Sequence, residues 1–512
     1  MKNNIVSNWA ALLLTVSGMA ALPLSTSAQL QPSGQFLVSG SAVIQSSTGY
    51  TTLSSVSVDN GHALRVIGAS SSYSGTNITL RPGRDWSSGA HVEDGATVVL
   101  HDSSVFLPAI NSNGLNVTGT GSRLDTYNVY VSASGQPDSV SMAALVKVSN
   151  GAQFTMSGGT LTGDSRLSAA IRVENAVAEV DGITIDNSGY DAHAAYVLNG
   201  GTLNITNSQI NLSGSNARFI AGSGGAINGE NLTITTYAEA LEAGGANASL
   251  VVVSSSIRTT ATGTRAAIQA YNGGAVTVRD SDIAASNNLI GFQRDTASVT
   301  LENVRATNQG RAIMVDASAS GTHTVNLVNT DLAGEVKNSG SGSLIVNLAD
   351  NALNGDIVGA GSGTTIITGS DGATITGHVT GSDNSTVTIG GNGDIIIGDV
   401  TGSGSATIDI GLTGTTSGVT GDITGNGDSS ITITGSNGAI ITGTISGDGN
   451  AVIDIIVSGS TGGLIGDITQ SGSSAVTVTL DDGATGQGSF NGGDLNLGPG
   501  SEWTITDDSH LN

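Results

Sequence analysis

Short stretches of alternating apolar and polar residues recur between about residue 90 and residue 335. Clear copies are AHVEDGATVVLHDSSV at 90–105, ALVKVSNGAQFTMSGGTL at 144–161, AYVLNGGTLNITNSQI at 195–210 and AIQAYNGGAVTVRDSDI at 267–283. Each copy has a short strand pattern, a turn of Asp or Asn followed by Gly, and then apolar residues at spacings of two and five. Period-two alternation places one side of a strand inward, and the interruption before the third apolar residue marks a corner.

The inward apolar residues of these copies form triplets, and neighbouring copies start roughly 24 to 26 residues apart or about twice that. The predicted triplets are Val98, Leu100, Val105; Phe154, Met156, Leu161; Ala178, Val180, Ile185; Leu203, Ile205, Ile210; Leu250, Val252, Ile257; Val276, Val278, Ile283; and Val325, Leu327, Leu332.

A second repeat follows, in which a Gly, a polar residue and an Ile or Val recur. The glycines are Gly334, Gly355, Gly377, Gly398, Gly421, Gly443 and Gly466. A companion strand recurs through Ile366, Val387, Ile408, Ile431, Ile453 and Val476. A nearly fixed period of about 22 with two strands and two turns in each unit is typical of a coil that stacks on its neighbour.

The periodicity predicts parallel rather than antiparallel pairing. An Asn-Gly or Asp-Gly pair between strands normally indicates a hairpin. Units that repeat in register instead place every strand beside its own copy, and the same left-handed turn residues then form the corners. The sequence therefore predicts an all-β solenoid of parallel strands, and the segment 29–512 divided by a period of about 24 gives roughly 20 coils.

We divide the chain into four segments. Residues 1–28 form a signal peptide and 29–89 an irregular N-terminal cap. Segment 90–335 contains coils of about 25 residues, and segment 336–512 contains regular coils, rich in Gly and Asp, of about 22 residues. Residues 106–143 and 211–245 depart from the repeat, and we expect loops or displaced coils there.

The composition agrees with thin stacked layers and excludes several partners. The chain has 75 Gly, no Cys and 3% aromatic residues, and 38% hydrophobic residues in strict alternation argue against disorder. The formal charge is -25, with eighteen acids and no Lys or Arg in 338–512. Phosphate backbones repel such a chain, so nucleic acid is not an expected partner.

The N-terminal segment MKNNIVSNWAALLLTVSGMAALPLSTSA predicts export. Lys2 supplies a weak positive region, 10–24 an apolar run, and Thr26, Ser27 and Ala28 a small-residue cleavage site, so we expect cleavage after Ala28. An exported chain without Cys has no disulfide framework.

A column of acids is the main candidate for metal binding. Asp356, Asp399, Asp422 and Asp467 occupy one repeat position, which is shared with Glu335, His378 and Thr444. Stacked carboxylates repel one another and invite a hard cation such as Ca²⁺. The alternative is that each Asp caps a turn and faces water. The interruptions by His378 and Thr444 favour capping, so we expect no cofactor.

Three catalytic or ligand motifs are weaker. GGNGDIIIG at 390–398 lacks the residue that a repeat-in-toxin calcium nonapeptide needs between Gly393 and Asp394. GDSRL at 163–167 resembles the start of an esterase block, but Ser165 has no α/β context. Asp280 and Asp282 in VRDSD are the nearest pair for two-carboxylate chemistry, against the simpler interpretation of exposed strand residues.

The turn residues Asp94, Asn150, Asn199 and Asn272 form a further column, and we expect their side chains to bond along it. The seven His residues show no paired spacing typical of zinc sites.

The chain resembles the passenger domains of pertactin-like and AIDA adhesin-like autotransporters. The signal peptide, the coil motif AHVEDGATVVLHDSSV and the closing segment LNLGPGSEWTITDDSHLN carry the resemblance. The closing segment is similar to the pattern S-x-W-x-[VI]-T-x-D-S of terminal passenger coils through Ser501, Trp503, Ile505, Thr506, Asp508 and Ser509.

This resemblance implies a right-handed parallel β-helix of the pectin-lyase-like kind, displayed at the surface of a Gram-negative bacterium or released from it. It also implies an outer-membrane β-barrel translocator. The sequence up to Asn512 lacks the alternating, aromatic-girdled strands of a barrel, so we expect the translocator outside this chain.

The expected function is non-enzymatic adhesion or another host-cell interaction, with a cell or matrix receptor or a carbohydrate bound by loops such as 106–143 and 211–245. The alternatives are a carbohydrate-active β-helix enzyme, either a polysaccharide lyase or a hydrolase, and an inert surface stalk. Low aromatic content argues against the enzyme, because sugar rings are commonly held by aromatic faces.

Overall fold

In the computed structural model, the described residues are 28–30, 35–54, 61–83, 87–107, 112–134, 143–164, 169–237, 239–260, 265–370, 372–392, 394–507 and 509. Their regular structure consists of strands alone, numbered β1 to β55 and stacked as a parallel β-solenoid of about 18 turns. The predicted all-β solenoid is confirmed. In this part of the chain no helix is long and apolar enough to span a bilayer. The predicted signal peptide lies outside the described residues, except for Ala28.

The strands belong to two sheets. The first sheet contains β1 (Ala28–Leu30), β2 (Phe36–Ser39), β4 (Leu64–Ile67), β6 (Ser88–Glu93), β9 (Asn113–Thr118), β11 (Ala144–Ser149), β13 (Ala169–Glu174), β16 (Ala195–Leu198), β19 (Phe219–Ala221), β22 (Leu241–Gly244), β25 (Ala266–Tyr271), β28 (Asn288–Gln293), β31 (Ile313–Val315), β33 (Leu332–Ala333), β34 (Val336–Asn338), β36 (Ala352–Asn354), β37 (Ile357–Gly359), β39 (Thr374–Gly381), β41 (Asp394–Gly402), β43 (Gly418–Val419), β44 (Ile423–Gly425), β46 (Ile440–Thr442), β47 (Ile445–Gly447), β49 (Gly463–Ile465), β50 (Ile468–Gln470), β52 (Thr485–Gly488), β53 (Phe490–Asn491) and β55 (Glu502–Ile505). The second sheet contains β3 (Ala42–Ser54), β5 (Ser72–Arg81), β7 (Thr97–His101), β8 (Ser104–Leu107), β10 (Arg123–Ala133), β12 (Gln153–Gly163), β14 (Val177–Asp181), β15 (Thr184–Asn187), β17 (Thr202–Thr206), β18 (Gln209–Leu212), β20 (Ala226–Glu230), β21 (Thr233–Thr236), β23 (Ser249–Val253), β24 (Ser256–Thr259), β26 (Ala275–Arg279), β27 (Asp282–Ala285), β29 (Ala297–Glu302), β30 (Arg305–Asn308), β32 (Thr322–Val328), β35 (Ser343–Ala349), β38 (Thr364–Gly369), β40 (Thr386–Gly391), β42 (Thr407–Thr413), β45 (Ser430–Ser436), β48 (Val452–Ser458), β51 (Ala475–Asp481) and β54 (Asp494–Leu497).

Every strand after β2 pairs in parallel with its equivalent one turn away, as in β13 with β16 and β44 with β47. The exception lies at the N-terminal end, where β1 pairs with β2 in the antiparallel direction. The coils are longer near the N-terminal end, where Leu115 pairs with Val146, than further along, where Val336 pairs with Ile357. These long early coils explain why about 18 turns form where the average period predicted roughly 20.

The core is a continuous column of small apolar side chains. All residues of the predicted inward triplets are buried, and so is the Val387 to Val476 column. The prediction for one inward residue of the companion strand, Ile366, was wrong by a single position. Thr365 pairs with Val387 and is buried, whereas Ile366 points outward. Adjacent β-branched residues in GTTIITG leave the alternation undefined at this point.

The glycine column stacks backbone on backbone. A Cβ added to Gly443 would lie 2.2 Å from the carbonyl oxygen of Gly421, and one added to Gly466 would lie 1.8 Å from that of Gly443. Gly443 also has a φ of +141°. Glycine is required at these corners because the neighbouring coil occupies the space of any side chain.

Candidate functional site

An open groove lies on the outer surface of the second sheet where β10, β12, β14 and β17 stack. The register aligns Tyr127 with Ser157, Ser157 with Asp181, and Asp181 with Thr206. A parallel column two positions earlier contains Asp125, Thr155, Glu179 and Asn204. Side chains two apart on a strand share a face, so both columns point outward. We name this site the Tyr127 groove; its volume is about 330 Å³.

Tyr127 forms one end of the groove. Its ring, whose residue is 42% exposed, stacks on His101 with centroids 4.6 Å apart and planes 9° apart. The stack covers one ring face, and the opposite face points toward the next coil. That coil carries Ser157 at the equivalent position, and this side chain is too small to cover a ring. The free face of Tyr127 therefore forms a flat apolar wall.

A second group of rings lies just beyond the corner. Tyr130 packs against Phe106 at 5.9 Å, and the Arg81 guanidinium lies 4.5 Å from the centre of the Phe106 ring. In a chain with 3% Phe, Trp and Tyr, three of these residues and a histidine on neighbouring strands are a marked local concentration. Aromatic side chains with a polar tip are enriched at binding surfaces.

The carboxylates in and beside the groove are held by hydrogen bonds within their own coil or from the next one. Asp125 accepts hydrogen bonds from Arg123 Nε at 2.7 Å and from the Thr155 hydroxyl at 2.6 Å. Asn204 Nδ2 donates to Glu179 Oε1 at 2.7 Å. These bonds fix the side chains on rigid strands, as a preformed site requires.

Asp181 accepts hydrogen bonds at one oxygen, Oδ1, from the hydroxyl of Thr206 at 2.7 Å and the amide of Asn207 at 2.6 Å. These bonds lower the pKa of Asp181, so the carboxylate stays ionised at neutral pH. Such a group can accept hydrogen bonds from a ligand, but it is poorly suited to donate a proton as a general acid.

A cluster of charges lies on the outer surface of the first sheet. Arg218 contacts Glu239 at 3.1 Å and also bonds Glu242, and Arg265 contacts Glu239 at 2.7 Å. The Tyr271 hydroxyl donates to Glu242 at 2.7 Å. Burial raises the pKa of the Tyr271 hydroxyl. Burial also lowers the pKa of the nearby His193 to about 4. Because the acids and bases satisfy one another, we assign this cluster to packing.

The predicted acid column is an exposed ladder of capped amides. Asp399 Oδ1 accepts the backbone N–H of Asp422 at 2.9 Å, and Asp422 Oδ1 accepts that of Thr444 at 2.9 Å. Asp356 and Asp467 do the same for His378 at 3.1 Å and Ser489 at 2.8 Å. Each carboxylate thus accepts a backbone N–H of the next coil, in place of a backbone carbonyl oxygen. Among the described residues, no group of three or more His, Asp or Glu side chains is placed to hold a metal ion.

The structure separates the other predicted residues. Asp280 has a φ of 48° and accepts a hydrogen bond from Asn303 Nδ2 at 2.9 Å, so it is a corner residue. Asp282 is exposed at the start of β27. Ser165 lies outside the described residues.

The turn residues Asp94, Asn150, Asn199 and Asn272 all have positive φ, between 53° and 56°. Direct amide bonds from coil to coil instead connect the corner residues Asn207 and Asn231 at 2.7 Å and Asn303 and Asn329 at 2.9 Å.

Of the two alternatives expected for 211–245, loops or displaced coils, the structure contradicts the loops, because β19 to β22 continue the stack in register there. The segment is irregular in sequence since it contributes Arg218, Glu239 and Glu242 to the charged cluster. In 106–143, the described part is mainly β9 and β10, and β10 supplies Tyr127 to the groove. The sequence signal was the motif RLDTYNVY inside a stretch that breaks the repeat.

No family model matches this sequence, and no curated protein matches it. The solenoid is compatible with an autotransporter passenger.

Proposed function

We propose that this protein is an exported passenger of the autotransporter kind that acts in adhesion at the surface of a Gram-negative bacterium or after release from it. Its partner is a host-cell or matrix receptor, or a carbohydrate, and an outer-membrane β-barrel serves as its translocator. The signal peptide predicted for 1–28, the terminal coil motif and the solenoid of about 18 turns support this proposal.

The observation that carries the proposal is the Tyr127 groove, which differs from the repetitive surface of the C-terminal coils. From β39 onward the outward position of the first sheet is occupied by Thr380, Thr401, Thr424, Ser446 and Thr469 in succession. A rigid scaffold whose rings and preformed hydrogen-bonding groups are concentrated at one place is suited to recognition.

A carbohydrate-active enzyme is the competing function. Glu179 and Asp181 are two outward carboxylates of one strand in a groove, and glycoside hydrolysis requires a pair of carboxyl groups. The lowered pKa of Asp181, caused by its hydrogen bonds, favours ligand binding over proton donation. An inert stalk is the third candidate.

The test is adhesion of the purified mature chain to cultured host cells and to matrix-coated surfaces, with calcium or with a chelator. We expect saturable binding that calcium does not alter, because the acid column already accepts backbone amides. Release of reducing sugar from polysaccharide substrates would show that the protein is a carbohydrate-active enzyme and would contradict the adhesion function. If the chain neither binds these surfaces nor cleaves polysaccharide, the inert stalk is the remaining candidate.

A further inference from the structure

The Tyr127 groove has the dimensions and chemistry of a sugar site. A volume of about 330 Å³ lies at the lower end of the range of small-ligand pockets and suits a short ligand. Its end wall is the free face of the Tyr127 ring, opposite the face stacked on His101. Its floor is formed by Ser157 and by the outward polar side chains of β12 and β14.

Sugar rings have an apolar face of C–H groups and a rim of hydroxyls, so they need a flat ring beside fixed acceptors and donors. Among the described residues, Oε2 of Glu179 and Oδ2 of Asp181 have no protein partner, while their sister oxygens are bound by Asn204, Thr206 and Asn207. Free lone pairs on immobilised carboxylates can accept sugar hydroxyls without a large loss of side-chain entropy.

The charge of the groove narrows the sugar class. Two carboxylates, of Glu179 and Asp181, line the groove together with one guanidinium, that of Arg123, which is already neutralised by its ion pair with the buried Asp125. The net negative charge disfavours sugars that carry carboxylate or sulfate groups. We propose that the Tyr127 groove binds an uncharged or amine-bearing pyranose unit of a glycan, with the sugar face stacked on Tyr127 and its hydroxyls on Glu179 and Asp181. The proposal rests on the adhesion function, for which it names the ligand class.

The test is titration of the full mature chain with a panel of defined oligosaccharides on a glycan array and by calorimetry. The panel contains neutral hexose oligomers, glucosamine oligomers and uronic acid oligomers. We expect binding to a neutral or glucosamine oligomer and none to the uronic acid oligomers. Tyr127→Ala weakens that binding about ten-fold or more, since it removes the stacking face.

Matched variants keep the test specific. Tyr127→Phe retains the ring face and keeps the affinity within about two-fold, and Glu179→Gln weakens binding by removing a charged acceptor. Tyr237→Ala, at another tyrosine that is 47% exposed, leaves the affinity unchanged. Equal affinity of the Tyr127→Ala and wild-type chains, or preference for uronic acid oligomers, overturns the proposal.

The two proposals fail separately. If the wild-type chain adheres to cells and Tyr127→Ala adheres equally well without any glycan binding, the adhesion function stands and the sugar site is wrong. If no cell or matrix surface is bound while Tyr127-dependent glycan binding persists, the adhesion function is wrong and the sugar site stands.

Discussion

At the scale of single residues, the molecule depends on side chains that are absent or very short. Glycines at the corners let one coil approach the carbonyl oxygens of the next, and left-handed Asn and Asp residues turn the chain. The Asp column adds acceptors for exposed amides. Glycine and aspartate therefore form the corners, while Ile and Val fill the interior.

Gly443→Ala will destabilise the protein, by on the order of 2 kcal/mol or more, because the added Cβ meets the Gly421 carbonyl oxygen at 2.2 Å and φ is +141°. Gly390→Ala is the control, since nothing lies within 4 Å of its Cβ. Thermal and chemical denaturation measure both. Equal loss of stability in the two variants would contradict the stacking role.

Ile431→Ala will cost on the order of 2 to 4 kcal/mol, because Ile431 is fully buried between Ile408 and Ile453. Asp422→Ala removes only an exposed acceptor for the Thr444 amide and will cost less than about 1 kcal/mol. Denaturant titration of the two variants gives the ranking. The reverse order would show that the inward and outward faces are misassigned.

At the scale of elements, the corner between the two segments of the second sheet has a repeated hydroxyl motif. Ser281 Oγ donates to the Arg279 carbonyl and accepts the buried backbone N–H of Ser255 at 2.9 Å. In the same way, the Ser255 hydroxyl accepts the backbone N–H of Leu232 at 2.9 Å, and the Thr330 hydroxyl accepts that of Val304 at 3.0 Å. A left-handed residue, which is Asp280, Ser254 or Asn329 in these coils, followed by Ser or Thr thus marks this corner and explains VRDSD without catalysis.

Ser281→Ala will lower stability by about 1 to 2 kcal/mol, because it leaves the buried Ser255 amide without its acceptor. Ser281→Thr keeps the hydroxyl that Thr330 supplies two coils later and should be close to wild type. Amide hydrogen exchange around 255 provides the local measurement. Unchanged protection in the alanine variant would refute the corner motif.

At the scale of the whole molecule, buried neutral histidines connect the stack to pH. Burial lowers the pKa of His62 to about 3 and that of His193 to about 4, from 6.5. In both cases Nδ1 accepts a backbone N–H of the next coil, from Ser88 at 3.0 Å and Arg218 at 3.2 Å. His323 is fully buried beside Phe292, and burial lowers its pKa too.

Because these folded-state pKa values lie below 6.5, the unfolded chain binds protons first as the pH falls. Stability is therefore full above about pH 6.5 and declines toward pH 4. His193→Asn keeps an acceptor, as Asn288 does for Arg311, and removes the titration. Between pH 6.5 and pH 4, we expect the free energy of unfolding of this variant to fall by about 2 to 3 kcal/mol less than that of the wild-type chain. Parallel acid sensitivity of both chains in pH-dependent melts would contradict this assignment.

The sequence predicts the solenoid and nearly all of its inward residues because alternation and period are local properties. Ile366 failed where adjacent apolar residues left the face undefined. The Tyr127 groove could not be predicted, since it depends on Tyr127 lying beside Ser157 of the following coil. The ion pairs of Arg218 likewise require the alignment of two successive coils. Sites of this kind arise from the alignment of unlike coils.

The pairing of each strand with its own equivalent has a consequence for how such a gene can change. Ile423 and Ile445 are equivalent positions in neighbouring coils, and each is paired on both sides with a Val or Ile at the equivalent position. After loss or duplication of one such coil, equivalent strands would again lie side by side. The interior contacts would still be between Ile and Val side chains. Length in this molecule can thus vary in whole steps of about 4.8 Å, independently of the segment that contains the groove.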